Sequence, residues 1–147
     1  MGLGFLFLLD YTRNKYIFLE GPETTQIDSN GILGYNWSLE GMIFDVEQHV
    51  FWPPEWGERP TDSAEAVDVC KREFMRVPKL IPIYGHRYIP EQPCEAGNPV
   101  FSVYQTDIIV YGECLQEYFK LEFGEKSYEE IDFDSVKRVQ FWSSLCE

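Results

Sequence analysis

The stretch that most constrains this chain is residues 79–112, K-L-I-P-I-Y-G-H-R-Y-I-P-E-Q-P-C-E-A-G-N-P-V-F-S-V-Y-Q-T-D-I-I-V-Y-G. Its runs at 100–104 and 107–111 are rich in β-branched and aromatic residues, which suit a pleated, half-buried surface. Only Gln105-Thr106 separates them, so they predict an antiparallel hairpin, although Gln-Thr is not a pair that two-residue turns favour. Ile81, Ile83 and their neighbours supply a third strand. Between these runs lie a turn, Tyr84-Gly85-His86-Arg87-Tyr88, and a loop at 90–99 with Pro90, Pro93, Gly97 and Pro99. Proline fixes its own backbone angle, and loops held on rigid strands are where binding residues concentrate. The densest set of polar groups that could form a site falls in this stretch.

The 147 residues suffice for one domain with a real core. An aromatic share of 16% favours a sheet-rich fold and argues against disorder. Twenty-five acids against twelve bases give a net charge of −13. Such a chain repels phosphate backbones and anionic lipid, so neither nucleic acid nor membrane is an expected partner. A basic protein is attracted, and acidity also serves solubility alone.

Cys70, Cys94, Cys114 and Cys146 lack the close pairing of a zinc site and read as free thiols of a reducing compartment, Cys70 on an apolar helix face. Residues 1–9 are apolar but lack a basic start and end at Asp10, too short for a span and poor as a signal peptide. The expectation is a cytoplasmic protein with no metal or cofactor.

In chain order, 5–11 and 15–20 predict a hairpin around Thr12-Arg13-Asn14, and 21–38 reads as loop. Residues 40–46, E-G-M-I-F-D-V, read as a strand ending in a turn at 47–49. Residues 53–57 form a rigid loop with Trp52 and Trp56 packed on the body. A helix opens at 61–65, with Asp62 as cap and Glu65 reaching back. Val67, Cys70, Phe74 and Val77 share its inner face, and Pro78 ends it. A second helix at 113–123 carries Leu115, Tyr118, Phe119 and Phe123 and stops at Gly124. Residues 126–133 read as irregular, and Asp134 caps a last turn with Val136, Val139 and Trp142. Tyr104, Tyr111, Tyr118, Phe119 and Phe123 read mostly as core, any exposed subset being a source of interface hot spots.

Five segments occur in order that together resemble the SUKH superfamily, the Smi/Knr-like proteins. They are E-G-M-I-F-D-V-E at 40–47, W-P-P-E-W-G-E-R-P at 52–60, P-K-L-I-P-I-Y-G-H-R-Y-I-P at 78–90, G-N-P-V-F-S-V-Y-Q-T-D-I-I-V-Y-G at 97–112 and F-W-S-S-L at 141–145. The resemblance defines a domain over 39–147. Residues 1–38 stand outside it as an atypical or truncated segment, where relatives usually carry a helical segment ahead of their first strands. It implies an α+β fold, a curved, mainly antiparallel sheet with helices packed on it. It also implies binding rather than catalysis, since many relatives neutralise toxins by tight complex formation and fungal ones act as interaction hubs. The expectation is therefore a non-catalytic protein-interaction domain, an immunity protein binding a basic toxin. The alternatives are a scaffold without a toxin partner and a small hydrolase using His86.

The candidate partner-binding residues are Tyr84, His86, Arg87, Tyr88, Glu95, Asn98 and Asp107, in a groove made by the sheet, the 84–88 turn and the 90–99 loop. Each has a plainer account. His86 is either a general base oriented by Asp107 or Glu95, or a turn residue bonded to backbone while Arg87 pairs with Glu95. No nucleophile motif accompanies it, which favours the structural role. Asp107 either anchors a partner's cation or bonds the amides of the preceding turn. Asn98 either fixes its loop or makes a contact. Asp45, Glu47 and His49 fall short of a zinc ligand set and read as solvated.

Overall fold

The computed structural model describes residues 8–10, 15–17 and 35–146, with side chains from Ser38 onward. Leu8–Asp10 (β1) and Lys15–Ile17 (β2) pair antiparallel, Leu9 opposite Tyr16, as the hairpin reading expected. The turn between them and the loop expected at 21–34 lie outside the described residues.

Residues 40–46 are not a strand. They belong to a helix, Tyr35–Glu47 (α1), which also takes in 35–38, expected as loop. Leu39, Met42, Ile43 and Val46 recur at i, i+3, i+4 and i+7, the spacing of one helix face. Met42 and Val46 are fully buried, with Leu39 and Ile43 packed beside them. Taken from residue 40, Met42-Ile43-Phe44 is a short apolar run without period, which is why the stretch passes for a strand. The Arg59 guanidinium donates to the Val46 carbonyl at 3.0 Å, satisfying an acceptor left free at the helix end.

Trp56, in a 3-10 turn over Pro54–Trp56, meets Phe51 and Trp52 edge-on and stacks on Phe141, as the packed-tryptophan reading expected. The helix Ser63–Phe74 (α2) is capped by Asp62, whose carboxylate accepts from the Ala64 amide at 3.1 Å; Glu65 makes no return bond. Ala66, Cys70 and Phe74 are its buried face, with Val77 packed just beyond its end.

Leu80–Tyr84 (β3), Arg87–Pro90 (β4), Phe101–Tyr104 (β5) and Asp107–Val110 (β6) form an open antiparallel meander in that order. β4 is additional to the sequence reading, which saw only turn and loop there. Side chains alternate across a strand. Tyr88, Phe101, Val103, Ile108 and Val110 face inward to join Met42, Cys70 and Phe74 in one core. Arg87, Ser102, Tyr104, Asp107 and Ile109 occupy the outer face.

Leu115–Glu122 (α3) follows Gly112, where a Cβ would lie 2.8 Å from the Tyr118 backbone, so only glycine permits this approach. Gly124, at φ 75°, ends the helix, and the amides of Glu125 and Lys126 bond back to the Lys120 carbonyl. Tyr118 and Leu121 are its buried residues. Asp132, rather than Asp134, caps the 3-10 turn Phe133–Ser135. The chain's end is pinned by Trp142, whose indole N–H donates to the Pro78 carbonyl at 2.6 Å and whose ring meets Phe74 edge-on. The architecture is α+β, as expected. Among the described residues no helix is long and apolar enough to cross a membrane.

Candidate functional site

An up-and-down meander puts alternate connections at opposite ends of the sheet, and this divides the expected groove. The turn at 85–86 and the β5–β6 turn at 105–106 share one end. The 90–99 loop lies at the other, a strand's length away, roughly 10–13 Å for four residues.

At the first end, α1 locks the β5–β6 turn. Asp45, expected to be solvated, is buried, and its carboxylate accepts from the Thr106 amide at 3.0 Å and the Thr106 hydroxyl at 2.6 Å. Gly41 lets α1 come this close, for a Cβ there would lie 2.8 Å from Gln105 Cα. Asp107 is thereby relieved of the capping role open to it and stands exposed. His86 is exposed, edge-on to Tyr104 at 6.1 Å, and its carbonyl accepts from the Val103 amide. Its imidazole bonds neither Asp107 nor Glu95 among the described residues. His86, Tyr88, Tyr104 and Glu40 line a shallow cleft of about 270 Å³, at the small end for organic ligands. Tyr88 itself is core, 3% exposed. Among the described residues no three His, Cys, Asp or Glu side chains converge to hold a metal ion.

At the far end, Asn98 is buried and donates to the carbonyls of Pro93 at 2.6 Å and Pro90 at 3.3 Å, fixing the loop from inside. Glu95 does not reach Arg87. It pairs with Lys137 at 2.6 Å, and the same ammonium donates to the Ala96 carbonyl.

Arg87 points instead to the outer face. Its guanidinium donates to Ser102 Oγ at 2.7 Å, lies 4.0 Å from the Glu122 carboxylate and sits over the Tyr111 ring, 3.7 Å from its centroid. This pair brings the last turn of α3 to the sheet, with Tyr84 exposed on the strand beside Arg87. Burial and the Glu122 carboxylate push the Tyr118 phenol up to about 12, so it is neutral throughout the ordinary range.

From Tyr111 an unbroken set of ring contacts runs both ways. Tyr118 and Phe119 on α3 and Phe123 just past its end follow, with successive centroids 6.3, 5.3 and 6.2 Å apart. Tyr128 and Phe133 follow on the other side, at 6.1 and 6.0 Å. Tyr118 is buried and Tyr111 half-buried, but Phe119, Phe123, Tyr128 and Phe133 are 43, 75, 38 and 53% exposed. The expectation that the aromatics are mostly core is thus overturned: of the five named, Tyr104, Phe119 and Phe123 face solvent. The helical spacing was there, but Leu121 takes the inner position beside Tyr118 and rotates Phe119 and Phe123 outward. Tyr128 and Phe133 were missed; the signal available was their neighbouring acids, Tyr128-Glu129 and Phe133-Asp134.

Comparison with family models, with curated proteins and with solved structures yields no match to this chain.

Proposed function

We propose that this chain is a non-catalytic protein-interaction domain that binds through the outer side of its sheet and the adjoining face of α3. The observation that carries this reading is the exposed aromatic run. Two pairs of large rings left in water, Phe119 with Phe123 and Tyr128 with Phe133, are joined through half-buried Tyr111 and buried Tyr118. Exposed apolar area of this kind marks an interaction site, and aromatic residues dominate interface energetics. Their mutual packing pre-orders them, which lowers the entropy lost on association.

The SUKH resemblance supports the same reading. On that resemblance the partner is a toxic enzyme held inactive in a tight complex in the cytoplasm, and the net charge of −13 matches a basic one. The test is retention of partners on immobilised protein, wild type beside Tyr104→Ser with Phe119→Ser. Both side chains are exposed, so the fold survives. One basic protein held at equal stoichiometry, and lost from the variant at unchanged melting temperature, is the expected result. Equal retention by both, or none by either, overturns the proposal.

A further inference from the structure

Along the sequence, the aromatic run is interleaved with carboxylates. Residues 113–134 contain eight acids and two lysines, and both lysines are already engaged. Lys120 pairs with Glu117 at 2.7 Å, and Lys126 pairs with Glu113 and Glu117. Glu130 is taken up by the Ser127 amide and Asp132 by the Asp134 amide. Glu125, Glu129 and Asp134 are exposed and make no ion pair among the described residues. Each lies within two positions of an exposed ring: Phe123 and Glu125, Tyr128 and Glu129, Phe133 and Asp134.

We infer that this strip is a receptor for arginine side chains, taking an extended arginine-rich segment of the partner. The inference rests on the protein-binding reading above and names the chemistry of the partner. A ring face attracts a cation through its quadrupole, and a carboxylate beside the ring completes the guanidinium's hydrogen bonds. Arginine suits both contacts better than lysine, because its planar, weakly hydrated head stacks and forks at once. The fold already contains a guanidinium on a ring face, Arg87 over Tyr111, with the Glu122 carboxylate 4.0 Å away and the hydrogen bond going to Ser102 Oγ. A second copy of the chain is a poor occupant: it brings −13 of like charge to a surface that is itself acidic.

The probe is a ten-residue peptide alternating arginine and serine, compared with its neutral citrulline counterpart and a lysine version, titrated against the full chain in about 0.15 M salt. The arginine peptide is expected to bind, with the lysine and citrulline peptides each weaker. Phe123→Ser with Phe133→Ser, which leaves the charge unchanged, should weaken it about tenfold. Glu65→Gln with Asp68→Asn, which removes two exposed acids from α2, should leave it within about twofold, as expected of distant screened charges. Equal loss from the α2 variant, unchanged binding to the serine variant, or equal affinity for the lysine and arginine peptides overturns the inference. If the peptide fails while a protein partner is still lost from the Tyr104 and Phe119 variant, arginine capture falls and the interaction surface stands.

Discussion

Asp45 shows how far one carboxylate reaches in this chain. It projects from the last turn of α1 and satisfies both the amide and the hydroxyl of Thr106, 61 positions away. Removing it strands a half-buried amide, at a cost of about 1 kcal/mol. Asp45→Ala is therefore expected to lower the urea midpoint with the slope unchanged, and Asp45→Ala combined with Thr106→Val to be less than additive. A shift below about 0.5 kcal/mol would mean that water replaces the carboxylate and that α1 does not hold the turn through it. Little of this could be read in advance. Asp45 looked solvated because, in an assumed strand, it had no buried side to occupy. Asn98 was readable as a loop anchor, since its neighbours Pro93, Gly97 and Pro99 demand a backbone acceptor-satisfying side chain. Arg87 was assigned the wrong acid, because a guanidinium chooses among carboxylates by geometry that spacing does not encode.

α3 and the segment after it are tied by a knot of charge. Glu113 accepts from Lys126 at 2.5 Å and from the Asp132 amide at 2.8 Å. Burial alone raises its carboxyl, but these hydrogen bonds outweigh burial and hold it below the usual range. Bonds from Lys120 and then Lys126 lower Glu117, and the Ser127 amide lowers Glu130. A carboxylate with a depressed folded pKa adds stability that is present above its unfolded value, 4.5, and is lost as pH falls through the folded value. The melting temperature should therefore fall steeply as the pH drops below that value. Glu113→Gln should melt lower at neutral pH and flatten that acid slope; parallel curves for the two proteins would show that Glu113 is not a source of it. At this scale the sequence was more legible. Gly124 announced the end of α3 and Asp62 the start of α2, because capping is local chemistry. α1 was misread because its buried stripe begins at Leu39, outside the window taken, and β4 because four residues between a turn and a proline loop carry too little period.

Residues 38–146 form one core, closed by Trp142 against Phe74 and Pro78, with reactive groups sorted by depth. Cys70 lies at the centre, its thiol pushed by burial to about 11, while Cys94 is exposed. At pH about 8 an aromatic disulfide reagent should label Cys94 at once and Cys70 only at the rate of global opening, so destabilising Asp45→Ala should speed Cys70 and leave Cys94 unchanged. Equal labelling of Cys70 and Cys94 in the native protein would show that the core opens locally. The β5–β6 hairpin and both later helices were implied by residue types and their spacing, since propensity and capping are properties of short stretches, and the α+β class was what the resemblance implied. Where those stretches meet was not implied. The meander's alternation sent the 84–88 turn and the 90–99 loop to opposite ends, buried Tyr88, and turned Phe119 and Phe123 outward beside Tyr128 and Phe133. Each of these is set by which long-range packing buries most apolar surface at once, a choice that exists only when all the elements are present together.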